Sequence, residues 1–266
     1  MKVAYEYNET VLRNYQGITL DELECLAHLK GVVKDNLIDR DQRNDYLDSL
    51  RTLKADTGFD GNDQLLADIQ ALKDDQVNVQ DFRVGEAYAE IALEENFQCR
   101  FHWNELRDAR NPKGNKTGAD LVGFIEIDGQ VLFLFGEVKT SSKNTHPPQV
   151  MTNRDGMENQ LCDLCDKPEK RRILISYLKN KARLFEDGHK FKEDFNAGVE
   201  AYYSQQGAYQ LVGVLVRDTN PVEKDVSVSY HRIKNKILEP IGLKLLALYI
   251  PVKKAEWLKI MNETKK

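Results

Sequence analysis

Long apolar runs, cysteine and tryptophan are scarce in this chain of 266 residues, which has four cysteines and two tryptophans. No apolar run approaches the roughly 18 to 20 residues needed to cross a bilayer, so we expect no membrane association. The first ten residues, MKVAYEYNET, lack the basic and then apolar pattern of a signal peptide, which predicts a cytoplasmic protein. Four cysteines do not make a disulfide framework, and Cys162 and Cys165 lack the second ligand pair that a zinc site requires.

The chain also lacks a nucleotide-binding motif and an excess of positive charge. Its 38 Lys and Arg residues are outnumbered by 43 Asp and Glu residues, which gives a formal net charge of -5. A protein with this balance binds nucleic acid only through a local basic surface, and residues 139–192 have twelve basic against seven acidic residues. No segment matches the phosphate-binding loop G-x-x-x-x-G-K-[ST], so any ATP dependence must come from another chain.

Two segments of different character divide the chain. Residues 1–80 predict an N-terminal helical region, because leucine and isoleucine recur at helical spacing in ITLDELECLAHLKGVV and NDQLLADIQALK. The acidic bias of this region indicates either a solvated face or a surface for a basic partner. Residues 81–266 predict a second domain that contains both helices and strands.

The second segment has the pattern of an α/β core. Residues 81–97 predict an amphipathic helix, and a hairpin follows within 119–139. Apolar runs at 210–218 and 243–252, rich in Val, Leu and Ile, predict strands that are covered on both faces. This order of elements predicts an α/β fold in which helices flank a mixed sheet.

The hairpin brings two acidic residues together. Asp128-Gly129 is the turn pair most typical of a two-residue β-hairpin loop, and such a loop makes the numbers of directly opposed residues add up to 257. Asp120 therefore faces Glu137 across the two strands, on the same face of the sheet. Lys139 lies two residues beyond Glu137, so the pleat places it on that face as well.

Opposed carboxylates destabilise a sheet unless a cation lies between them. Carboxylate oxygens suit Mg²⁺, which takes one or two of them and completes its octahedron with water and phosphate oxygens. A neighbouring lysine can orient or deprotonate an attacking water, or neutralise charge in the transition state. Asp120, Glu137 and Lys139 therefore predict metal-assisted hydrolysis of a phosphodiester. The alternative is an ordinary cross-strand ion-pair cluster at a strand end.

These motifs resemble the PD-(D/E)XK, or restriction-endonuclease-like, nuclease superfamily. The resemblance rests on GAD, which ends at Asp120, a hairpin, and then GEVK, which contains Glu137 and Lys139, all preceded by a helix with an acid. It implies a nuclease core over about residues 81–252, with Asp120 and Glu137 as metal ligands and Lys139 as the catalytic lysine. Ala119 stands where the name of the superfamily has proline.

The resemblance implies further site residues on the flanking helices. An acid on the preceding helix often joins the metal site, and we prefer Glu86 as this catalytic residue and metal ligand to Glu90, one helical turn later. A polar residue on the helix after the lysine often positions substrate or water. Gln160 matches that place, although a surface amide on a helix is the simpler alternative.

The layout of the whole chain is similar to the nuclease subunits (HamA) of Hachiman anti-phage defence systems, through RVGEAYAEIALEE, NPKGNKTGADLVGFIE and GEVKTSS. This resemblance implies a Mg²⁺- or Mn²⁺-dependent nuclease that acts on DNA and works with a helicase subunit (HamB-like). The loops that flank the expected site contain three lysines, Lys113, Lys116 and Lys143. These lysines either contact phosphates or are solvated loop residues.

Two other functions stay open from the sequence. The first is a nuclease fold that no longer cuts and serves as an adaptor on a helicase. The complete Asp/Glu/Lys set argues against it, because a fold without catalysis has no reason to keep opposed acids together. The second is a stand-alone restriction or repair nuclease, which the weak net basicity of the chain disfavours.

Overall fold

The computed structural model describes residues 1–57, 62–74, 76–108, 118–204 and 207–263. Its strands are β1 Lys2–Asn8, β2 Arg13–Thr19, β3 Cys99–Arg100, β4 Leu121–Ile127, β5 Gln130–Ser141, β6 Gln210–Arg217 and β7 Gly242–Tyr249. Its α-helices are α1 Glu22–Lys30, α2 Val32–Ile38, α3 Arg40–Thr57, α4 Asp63–Lys73, α5 Asp81–Phe97, α6 Gln149–Thr152, α7 Met157–Asp166, α8 Pro168–Ala182, α9 Lys190–Ser204, α10 Ser227–Lys234 and α11 Trp257–Asn262.

Within the described residues, seven strands form one mixed sheet in the order β1-β2-β7-β6-β5-β4-β3. One hydrophobic core lies between this sheet and α1, α2, α5 and α11, and a second lies on the other face, beneath α7, α8, α9 and α10. The predicted α/β fold with helices flanking a mixed sheet is therefore confirmed. In the described ranges, none of the helices has the length and apolar character of a membrane span.

The prediction that residues 1–80 are helical is wrong for the first twenty of them. Strands β1 and β2 form an antiparallel pair, and β2 also runs parallel to β7 inside the sheet. β2 is not apparent from the sequence, because this largely buried interior strand carries polar residues. The Arg13 guanidinium donates a hydrogen bond to the carbonyl oxygen of Ile241 at 3.2 Å, and the side-chain oxygen of Asn14 accepts one from the Lys244 ammonium at 2.5 Å. The rest of this region is helical in the ranges that the structure describes.

The predicted hairpin register is confirmed. Ile127 pairs with Gln130 and Leu121 pairs with Gly136, as a two-residue loop requires. Asp128 and Gly129 both have positive φ angles, 50° and 77°, which is the conformation of a type I′ turn. Strands β6 and β7 run parallel to β5 in the same sheet and are buried along their whole length, as predicted.

Strand β5 continues past the end of its hairpin partner. β4 begins opposite Gly136, whereas β5 extends to Ser141 and its last five residues pair only with β6 among the described strands. Gly136 has to be glycine, because a Cβ there would lie 2.2 Å from the backbone oxygen of Val212. The sheet thus has a notch beside residues 137–141, with the backbone edge of β5 on one side of it.

A lysine of β7 is buried in the core and makes stability depend on pH. Lys244 is 8% exposed, and its ammonium lies 4.2 Å from the ring centroid of Phe97. Burial lowers the pKa of Lys244 to about 8. Between this value and its ordinary value of 10.5 the unfolded chain binds more protons than the folded one, so stability rises with pH across that window.

We expect Lys244→Met to remove this rise and to stabilise the protein at pH 7 by about 1 to 2 kcal/mol, because no charge is then buried. Urea unfolding at pH 7, 8.5 and 10 measures the difference. Lys259→Met, at an exposed lysine, is the matched control. An equal dependence of unfolding free energy on pH in the wild type and Lys244→Met would show that burial does not lower the pKa of Lys244.

Candidate functional site

The two predicted acids meet at the notch. Asp120 directly precedes β4, and its Oδ2 accepts a hydrogen bond at 3.0 Å from the backbone N–H of Val138, which fixes the carboxylate against the free edge of β5. Glu137 is 3% exposed, and its carboxyl group lies within hydrogen-bonding reach of Asp120. The structure therefore brings the two carboxyl groups together, as the hairpin arithmetic predicts.

Burial and like charge make Glu137 hard to ionise without a cation. Burial first, and then the negative charge of Asp120, raise the pKa of Glu137 to about 8. The ammonium of Lys139 acts in the opposite direction from 3.4 Å away. A buried carboxyl pair of this kind has a net deficit of positive charge, which a divalent ion would correct.

An open cleft of about 440 Å³ contains this site. Helices α5 and α7 lie on opposite faces of the sheet, and the cleft opens where both reach the free edge of β5. Its lining consists of Phe82, Glu86, Asp120, Val138, Lys139, Thr140, Val150, Gln160 and Lys254. Three predicted residues thus line one cleft with Asp120, namely Glu86, Lys139 and Gln160. Glu137 is buried behind this lining, next to Asp120.

Helix α5 reaches the cleft because Gly85 lets it pack closely on the sheet. A Cβ at Gly85 would lie 2.2 Å from Oγ1 of Thr140. The next residue, Glu86, is 7% exposed and accepts a hydrogen bond at 2.8 Å from Arg83. Glu90 accepts one from Asn36 and lines a smaller cavity that Glu86 also borders, but it does not line this cleft. The placement of the two acids therefore favours Glu86 over Glu90 as the helix acid of this cleft.

The donors fit a magnesium or manganese ion held by two carboxylates. Mg²⁺ commonly takes one or two protein carboxylates and keeps water and phosphate oxygens for its other positions. In the part of the chain that the structure describes, no three His, Cys, Asp or Glu side chains form a metal-binding group. Asp120 and Glu137 are the pair that fits the ion, and Glu86 as a third ligand stays a prediction.

Gln160 presents an unsatisfied acceptor on the α7 side of the cleft. Its Oε1 is buried and has no hydrogen-bond partner among the described residues, and the same holds for Oγ1 of Thr140. Buried polar atoms normally find a partner, so both are candidates for contact with substrate or water. Lys143 is exposed on the loop after β5, while Lys113 and Lys116 lie outside the described residues.

Phe82 and Lys254 are cleft residues that sequence reasoning missed. Phe82 lies in the first turn of α5, and in the sequence it is indistinguishable from the other apolar residues of an amphipathic helix. Lys254 follows β7 in a short 3₁₀ helix, far along the chain from Lys139. No spacing rule connects these positions, because only the tertiary fold brings them to the notch.

The fold and the cleft together define an α/β protein with a carboxyl pair and a lysine at the free edge of a mixed sheet. No protein-family model matches the chain, and no curated protein matches it either. Its activity must therefore be inferred from the chemistry of the cleft.

Proposed function

We propose that this chain is a metal-dependent deoxyribonuclease of the restriction-endonuclease-like class. The observation that supports it best is the convergence of Asp120, Glu137 and Lys139 in an open cleft at the free edge of β5. An ion pair with a purely structural role has no need for two facing carboxyl groups, one of them buried, beside a solvent-open cleft.

The reaction is hydrolysis of a phosphodiester. Asp120 and Glu137 would hold a Mg²⁺ or Mn²⁺ ion, which when bound supplies Lewis-acid polarisation of the phosphate. The ammonium of Lys139 orients the attacking water or neutralises charge that develops on the phosphate oxygens. The water oxygen bonds to phosphorus and one P–O ester bond breaks, so that one product carries the phosphate and the other a hydroxyl group.

We propose DNA as the substrate and a HamB-like helicase as the partner, in a bacterial anti-phage defence complex of the cytoplasm. This part of the proposal rests on the likeness of the chain to Hachiman nuclease subunits. The net charge of -5 supports it in one respect, since a chain with excess negative charge binds DNA weakly by itself and gains from a partner that loads it.

A second candidate function is a nuclease-fold adaptor that no longer cuts. It is favoured by the absence, among the described residues, of three metal-ligating side chains in one group. The two candidates differ in what a metal ion does to the protein, because an adaptor without a metal site gains no stability from magnesium.

We expect 10 mM Mg²⁺ to stabilise the purified chain against unfolding by about 1 to 2 kcal/mol relative to EDTA, if the ion binds in the millimolar range. Asp120→Asn should remove this gain by taking away one of the two ligands. Asp128→Asn, in the exposed hairpin turn, is the matched control and should keep it. The unfolding temperatures of the wild type, Asp120→Asn and Asp128→Asn, each in Mg²⁺ and in EDTA, measure this gain. An unchanged gain in Asp120→Asn would place the ion elsewhere.

A further inference from the structure

We infer that the cleft takes an unpaired nucleotide, with its base stacked on Phe82 and its phosphate held by Lys254. This inference rests on the proposed nuclease function and adds the class of substrate: single-stranded or locally opened DNA. It comes from two residues of the cleft that the hydrolytic chemistry does not use.

The ring of Phe82 is placed where a nucleotide base that enters the cleft could stack on it. It is 39% exposed in a cleft where six of the nine lining residues are polar or charged, and it lies one helical turn before Glu86. The Arg83 guanidinium lies 5.3 Å from the Phe82 ring centroid and also donates to Glu86, which ties the ring to the helix acid of the site. Aromatic rings of this kind bind any base of an unpaired strand, because every base has a π face.

Lys254 has a fixed backbone and a loosely held ammonium. Its N–H donates to Oδ2 of Asp218 at 3.0 Å, and the neighbouring Lys253 ammonium donates to the Asp218 carbonyl at 2.7 Å. The Lys254 ammonium itself lies 3.6 Å from Oδ2 of Asp81, and both side chains are partly exposed. An exposed pair at this distance is weak, so a phosphate that enters the cleft can replace Asp81 as the partner of Lys254.

The dimensions of the cleft also favour an unpaired strand. A volume of about 440 Å³ lies in the range of sites that bind one small molecule, and this cleft is open to solvent on one side. A base reaches an aromatic ring inside such a cleft only after it leaves the stack of a duplex. With Phe82 and Lys254 on the α5 side and Asp120 and Lys139 at the sheet edge, the nucleotide that binds there is a neighbour of the cleaved phosphate.

The test uses a 12-nucleotide single strand and a blunt duplex of the same sequence, bound to full-length protein in EDTA so that no cleavage occurs. Phe82→Ala should weaken binding of the single strand about tenfold or more, whereas Phe82→Trp should retain it. Duplex binding should change less than twofold in both variants. Tyr46→Ala, which removes another exposed ring on α3, is the matched control and should alter neither.

Lys254→Gln should reduce the slope of log affinity against log salt by about 0.7 for the single strand, the loss of one phosphate contact. Lys259→Gln should leave the slope unchanged, and Asp81→Asn should strengthen binding because it frees the ammonium. Equal weakening of single-strand and duplex binding in Phe82→Ala, or an unchanged slope in Lys254→Gln, overturns the inference. Metal-dependent cleavage by the wild-type protein is measured separately, so a failure of the nuclease proposal is distinguishable from a failure of this one.

Discussion

Glu137→Gln and Lys139→Met are each expected to lower the rate of DNA cleavage about a thousandfold or more. Glutamine keeps the size of the side chain but removes the charge that would hold a divalent ion beside Asp120. Methionine keeps the length of the lysine stem but removes the ammonium that lies 3.4 Å from Glu137. Loss of one preorganised charged group in an active site typically costs a factor of this size.

Plasmid degradation in Mg²⁺ measures this effect, with Glu193→Gln and Lys259→Met as exposed controls of the same chemistry. Glu137→Gln should not lower the unfolding temperature in EDTA at pH 7, because a pKa of about 8 already leaves this carboxyl group mostly uncharged and the amide has the same size. A variant that is folded but inactive separates a catalytic role from a structural one. Retained cleavage in the Glu137→Ala, Lys139→Ala double variant would refute the proposed site.

Asp194→Ala is expected to destabilise the fold by about 3 to 5 kcal/mol. Asp194 is 1% exposed and receives three positively charged or polar donors: Arg100 at 2.6 Å, His102 at 2.7 Å and Lys190 at 2.8 Å. Burial pushes its pKa upward, but the hydrogen bonds from Arg100, Lys190 and His102 outweigh burial, and the pKa of Asp194 is lowered. Alanine leaves the partly buried Arg100 with Glu126 as its remaining ion-pair partner among the described residues.

Urea unfolding at pH 7 measures this loss, and Asp187→Ala provides the control. Asp187 pairs with Lys192 on the surface and is 95% exposed, so its replacement should cost less than about 1 kcal/mol. Asp194→Asn should fall between the two, since it keeps a hydrogen-bond acceptor without the charge. A cost for Asp194→Ala as small as that for Asp187→Ala would show that this network contributes little to stability.

The sequence predicted the parts of the site that depend on local geometry. A two-residue Asp-Gly turn fixes the hairpin register, and this register, continued one residue past the pair Leu121–Gly136, places Asp120 opposite Glu137. Buried strands such as β6 and β7 are visible as apolar runs because both of their faces are covered. These rules act over a few residues or between neighbours across a turn, which is why they can be read from the chain.

Features that depend on distant parts of the chain could not be predicted in this way. β2 is buried but polar, since its groups bond to Ile241 and Lys244 more than two hundred residues later. Lys254 likewise reaches the cleft only because β7 ends beside β6. The restriction-endonuclease-like class stays a prediction, and so do the roles of Glu86, Asp120, Glu137 and Lys139. The structure shows where these residues lie, and the assays described above test what they do.

The parallel pairing of β2 with β7 has a consequence for how this protein is made. Arg13 lies beside Leu243 in that pair, so the contact joins distant parts of the chain and cannot form until both strands have left the ribosome. The nascent chain must hold its β1–β2 hairpin without the neighbour that later covers it, a state in which exposed strand edges favour aggregation.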